Sequence, residues 1–147
     1  MEDGFLEPVA DEDSAPFWAA ARSGELRMQA CAGCGQLRFP PQPMCPHCHS
    51  TASSWQVMSG LGTIWSYVVP HPPLLPAYER WAPFNVVLVQ LDEDPEIRLT
   101  GNLLASADGH VNEIDPATIT IGERVRAVFR QVSADLVVPQ WVRLEPS

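Results

Sequence analysis

The sequence predicts a mainly β protein: a short N-terminal helix, a metal-binding ribbon and a five-stranded barrel. Three observations carry that expectation. Four cysteines, the only ones in the chain, fall as two CxxC pairs separated by ten residues. From Trp55 to Leu144, segments rich in β-branched and aromatic residues recur between turn residues, with no convincing helix among them. One stretch, Asp13 to Gly24, carries helix punctuation at both ends. A chain of 147 residues holds one ordinary core plus a small satellite module, not two full domains. The expected divisions are an acidic flexible tail over 1–13, the helix and ribbon over 14–50, and the barrel over 51–147.

Charge defines the tail. Glu2, Asp3, Glu7, Asp11, Glu12 and Asp13 lie there with no basic residue, which leaves the rest of the chain only −3 of the formal −9. Such a run reads as solvated and mobile. A mildly acidic body argues against a nucleic-acid backbone as the main partner. All nine basic residues are arginines. No apolar run approaches the ~20 residues of a membrane span. The acidic start also lacks the apolar segment of a signal peptide, so a soluble cytoplasmic protein is expected.

In the helix, Ser14 or Asp13 can cap the first turn, Pro16 is tolerated inside it, and Gly24 can stop it. Phe17, Trp18 and Ala21 share one face. Two large aromatics on so short a helix must be covered, either by the body of the chain or by a partner.

The cysteines come next. Cys31-Ala32-Gly33-Cys34-Gly35 and Cys45-Pro46-His47-Cys48 are two tight turns, each able to aim two thiolates at one ion. Together Cys31, Cys34, Cys45 and Cys48 fill a tetrahedron and leave no open position, which suits one structural zinc per chain. Gly35 tolerates the positive φ a knuckle needs, and Pro46 stiffens the second turn. Two disulfides would need an oxidising compartment. A redox CxxC needs one pair, not two. Iron has the same four-thiolate chemistry and spacing alone leaves it open. His47 and His49 flank Cys48 and read as bystanders. Leu26 to Ala30 reads as the strand entering the first knuckle and Gln36 to Phe39 as the strand leaving it.

Five strands follow: Gly62 to Val69, Pro83 to Leu91, Ile97 to Leu104, Gly122 to Arg130 and Leu136 to Leu144. The second is a buried strand, ended by Asp92-Glu93-Asp94-Pro95. Gly101 marks a bulge or bend in the third. Pro139 restricts the last to an edge or a break. Five short strands with a bent third member suggest an OB-fold barrel, with a sandwich left open by pattern alone. Between the first two strands, Pro70 to Pro83 packs five prolines together with Leu74, Leu75, Tyr78 and Trp81. So many large apolar groups in a loop must bury themselves, as a plug over the barrel mouth or against a partner. A partner is the favoured reading.

No catalytic residue is expected. Every cysteine is committed to the metal, and His71 and His110 lack an evident partner in the sequence. Gly60-Leu61-Gly62 is too short for a phosphate loop.

Several stretches together resemble the family of acyl-CoA-associated proteins that join a rubredoxin-like zinc ribbon to an OB-fold. Pro16-Phe17-Trp18 with Gly24-Glu25-Leu26 is similar to its leading helix. Cys31 to Gly35, Arg38-Phe39-Pro40-Pro41 and Cys45 to Cys48 are similar to its ribbon. Gly60 to Ile64 and Ile121 to Val125 are similar to two barrel strands. The resemblance implies a non-catalytic accessory subunit in a hetero-oligomer with a thiolase-fold enzyme or a hot-dog-fold enoyl-CoA hydratase. The reaction implied is retro-aldol or thiolytic cleavage of a steroid side-chain or fatty acyl-CoA. The absence of a fused hydratase domain favours a separate thiolase-fold partner. The partner-binding candidates are Phe17, Trp18, Leu74, Leu75, Tyr78 and Trp81. Arg124, Arg126 and Arg130 alternate onto one face and are candidates for a CoA phosphate contact, with a wet outer barrel face as the plainer reading. A rival function is single-stranded nucleic-acid binding, with Trp65 and Tyr67 as stacking platforms. The missing lysines and the negative body oppose it, and no nucleic-acid partner is expected.

Overall fold

The computed structural model describes residues 6–144. Residues 1–5, where the flexible tail was expected to begin, lie outside that range.

The first helix, α1 (Ala15–Arg22), begins on an acidic turn rather than on a single cap. Asp11 Oδ1 accepts the Ser14 N–H at 2.7 Å, and Ser14 Oγ accepts the Asp11 N–H at 3.1 Å. The Ser14 hydroxyl also holds the Asp11 carboxyl below its usual range. At the other end the N–H groups of Gly24 and Glu25 return to the carbonyls of Ala21 and Ala20, which closes a Schellman motif. Phe17, Ala20 and Ala21 are buried. Phe17 packs edge-on against Trp18 at 5.0 Å and against Phe39 at 5.4 Å. The helix therefore covers its main aromatic within its own chain.

The ribbon is an antiparallel sheet of β1 (Arg27–Cys31), β2 (Leu37–Arg38) and β3 (Ser53–Val57), in the order β2-β1-β3. The third strand follows the second knuckle and pairs along the whole of β1, from Arg27↔Val57 to Cys31↔Ser53. Leu26, Met28 and Met58 share one core with the barrel residues Ile64, Val87, Val89 and Trp141.

The barrel comprises β4 (Leu61–Val68), β5 (Val86–Leu91), β6 (Arg98–Gly101), β7 (Leu103–Leu104), β8 (Arg124–Gln131) and β9 (Val137–Arg143). Their order is β6-β5-β4-β8-β9-β7. The expected third strand is thus split at Asn102. Its first half pairs with β5, and its second half pairs in parallel with β9, which closes the OB-fold barrel. Gly101 is needed at the bend because an added Cβ would lie 2.9 Å from the Trp141 ring. Amide side chains stitch the gap. The fully buried Asn85 accepts from Leu103 N–H at 2.6 Å and donates to Leu103 C=O at 3.0 Å. Gln140 accepts from Asn102 N–H and donates to the Asn102 side chain. Pro139 sits where β9 pairs with β8 but not yet with β7, so its missing N–H is not asked to bridge two neighbours.

Between β4 and β5 the proline-rich loop forms a single helical turn, α2 (Pro76–Glu79), that its composition did not announce. Trp81 then enters a second core cluster with Leu104, Val111, Val128 and Val142, with Tyr78 and Phe84 packed against it. Half of this loop is a plug.

Candidate functional site

The two knuckles are built by the same backbone device. Gly35 N–H returns to Cys31 C=O, and His49 N–H returns to Cys45 C=O, both at 2.9 Å. Gly35 has φ +79° and His49 has φ +62°, so each turn closes through a left-handed residue four places after its first cysteine. That is the structural work of His49, which sequence reading set aside as a bystander. A non-glycine residue at positive φ leaves no mark in spacing or hydropathy.

The turns bring all four sulfurs within 4.8 Å of one another. Cys31 Sγ lies 3.4 Å from Cys48 Sγ, and Cys34 Sγ lies 3.7 Å from Cys45 Sγ. These separations are too long for disulfides. They lie just under the edge of about 3.8 Å expected of a tetrahedron with metal–sulfur bonds of ~2.3 Å. The donor set and its geometry therefore fit one tetrahedral metal ion. Backbone amides prepare the charge: the N–H groups of Cys34 and Gly33 point at Cys31 Sγ, at 3.4 and 3.3 Å. The Cys34 amide leads in drawing the Cys31 thiol down to about 6. The amide of Cys48 likewise lowers Cys45. At Cys48 the Ser50 amide acts in the same direction, but the crowding of Cys31 and burial overcome it and push the thiol up to about 11. Four thiolates this close repel until a cation shares their charge.

The other singled-out residues fall in three places. Phe17 and Trp18 line an apolar depression of about 420 Å³ between α1 and the barrel. Leu74, Leu75 and Tyr78 line a second, of about 450 Å³, under the proline-rich loop. The two share Thr100, Gly101 and Asn102. Trp81, expected at a partner surface, is only 6% exposed, because its indole fills the second core cluster. The three arginines are engaged differently. Arg124 is bound to Asp92 at 2.5 Å and to Thr63 at 3.1 Å, and Arg130 donates to the carbonyl of Gly109. Arg126 is exposed, as Arg124 is, but makes no ion pair among the described residues. Of the aromatics proposed to stack bases, Trp65 is 48% exposed while Tyr67 packs against the core. No helix among the described residues is long and apolar enough to cross a membrane.

With this geometry in hand, family models match both parts of the chain. Residues 18–53 match a model described as the ChsH2 rubredoxin-like zinc ribbon domain, and residues 55–130 match the ChsH2 C-terminal OB-fold domain. The chain belongs to the ChsH2 family. Among its relatives is the 3-oxo-4,17-pregnadiene-20-carboxyl-CoA hydratase alpha subunit of Mycobacterium tuberculosis, 37% identical over 86% of this chain. The chain spans 37% of that relative's length. A DUF35 domain-containing scaffold protein of Methanocaldococcus jannaschii is 30% identical, over 71% of this chain and 67% of the relative. A solved structure titled Ltp2-ChsH2(DUF35) aldolase matches at a TM-score of 0.79 and 35% identity, covering 93% of this chain and 98% of the matched one. ChsH2 proteins thus supply both the ribbon and the barrel seen in this chain.

Proposed function

We propose that this ChsH2-family chain is a non-catalytic accessory subunit of an acyl-CoA-processing complex, partnered with a thiolase-fold enzyme. The observation that carries this reading is the match over 98% of a chain from a structure titled as an aldolase with two named components. Cleavage of a steroid side-chain or fatty acyl-CoA by retro-aldol chemistry needs a base for the hydroxyl proton and donors for the thioester enolate. Both belong to the partner in this reading. The four cysteines hold one structural zinc, in a reducing cytoplasm that keeps thiolates free. This chain steadies the partner and shapes its cleft.

The test is a rate. The Ltp2 component of the matched aldolase should cleave a β-hydroxyacyl-CoA thioester of a steroid side chain only when this chain is added, and this chain alone should be inert. Equal rates with and without it would overturn the reading.

A second reading is supported by the hydratase alpha-subunit name of the Mycobacterium tuberculosis relative. It makes the partner a hot-dog-fold enoyl-CoA hydratase. Water addition to an enoyl-CoA in the presence of that partner and this chain, with no aldol cleavage by Ltp2, would select it.

A further inference from the structure

Strand β5 reads Val86-Val87-Leu88-Val89-Gln90-Leu91, an apolar run expected of a strand covered on both faces. Only one face is covered within the chain. Val87, Val89 and Leu91 are at most 1% exposed, while Val86 and Leu88 lie half-buried on the outside. Leu88 is flanked across the sheet by Ser66 and Thr100, and the outer surface turns apolar toward the start of β5. Val68 pairs with Val86 from β4 and is 59% exposed, and Leu75, on the loop that β4 leads into, is 60% exposed. The register of β4 slips between Ile64 and Ser66, and the extra residue, Trp65, lies on the outer face, 48% exposed. Arg98 reaches from β6 to stack on the Trp65 ring at 4.1 Å. It makes no ion pair among the described residues. A pre-stacked tryptophan and arginine beside an apolar strip is the composition that concentrates binding energy in protein interfaces.

Resting on the accessory-subunit reading, we propose that this β4–β5–β6 outer face, centred on Leu88 and Trp65 and flanked by Leu75, is where the enzyme subunit docks. Its surface there is an apolar ridge that fills the depression under the proline-rich loop, with a carboxylate set against Arg98. Charge selects this occupant over a second copy. A second copy presenting the same face would bring a second exposed Arg98 to it rather than a carboxylate. The cation on the face asks for an acidic neighbour from elsewhere.

The test is co-elution and titration with the Ltp2 component of the matched aldolase. Arg98→Glu alters an exposed side chain, so it leaves the fold intact and should weaken the complex about tenfold or more. Leu88→Glu should abolish co-elution, with bound metal and circular dichroism unchanged. Ser54→Glu, on the exposed β3, should bind as the unaltered chain does. If both face variants bind normally, the docking face is wrong while the accessory reading stands. If the unaltered chain fails to bind, the accessory reading fails and the face with it. A dimer of this chain alone, dissociated by Leu88→Glu, would overturn the choice of occupant.

Discussion

The ribbon encloses few apolar side chains of its own: on β3 only Trp55 is even partly covered, and Leu26 and Met28 on its barrel side belong to a core shared with the barrel. Its shape depends on two knuckles whose four sulfurs fit one metal ion. The barrel instead surrounds Ile64, Val87, Val89, Leu103, Val125 and Trp141, all fully buried, and seals its one interrupted strand with amides. One region substitutes a point charge for a core, and the other substitutes side-chain hydrogen bonds for a missing stretch of ladder.

The sharpest way to separate the two regions is Cys31→Ser or Cys45→Ser. Metal binding is worth ~10–16 kcal/mol in isolated zinc modules, so either change should release the ion and open residues 26–57 to amide exchange. The barrel amides of β5 and β8 should stay protected. A ribbon that stays protected without metal would remove the contrast.

Next is the loop, where the structure divides residues that composition grouped. Trp81→Ala should cost ~3–5 kcal/mol, as removal of a buried aromatic does. Leu75→Ala should leave the melting temperature nearly unchanged and weaken only the complex. Equal thermal effects would mean that the loop does not split into plug and contact.

Within the barrel, Asn85→Ala leaves the Leu103 N–H and C=O without partners. The expected loss is ~1–3 kcal/mol in denaturant titration, with faster exchange confined to β7 and β9. The smallest effect is on the surface. Hydrogen bonds from Arg124 hold the Asp92 carboxyl below its usual range. A carboxyl depressed on folding adds stability above its unfolded pKa and loses it as the pH falls through the folded value. Asp92→Asn should therefore lower stability near neutral pH by less than ~1 kcal/mol, since both partners are well exposed. The difference should vanish in acid.

How much was legible follows from the range of each interaction. The cysteines are readable because two ligands per turn is a local requirement. Gly101 is readable as a bend because glycine interrupts a strand pattern, although the reason for it, contact with Trp141, lies forty residues away. The polar β3, with Ser53 and Ser54, has no alternation to betray it, and its pairing with β1 depends on where the second knuckle delivers the chain. Trp65 reads as any outward aromatic until the slip in register sets it apart. The Asn85, Asn102 and Gln140 clamp joins three segments that share no sequence signature.

The most direct test of the account is native mass spectrometry of this chain co-expressed with the Ltp2 component of the matched aldolase. The predicted species is a hetero-complex carrying one zinc for each copy of this chain. A free chain beside free enzyme, or a complex without zinc, would contradict it.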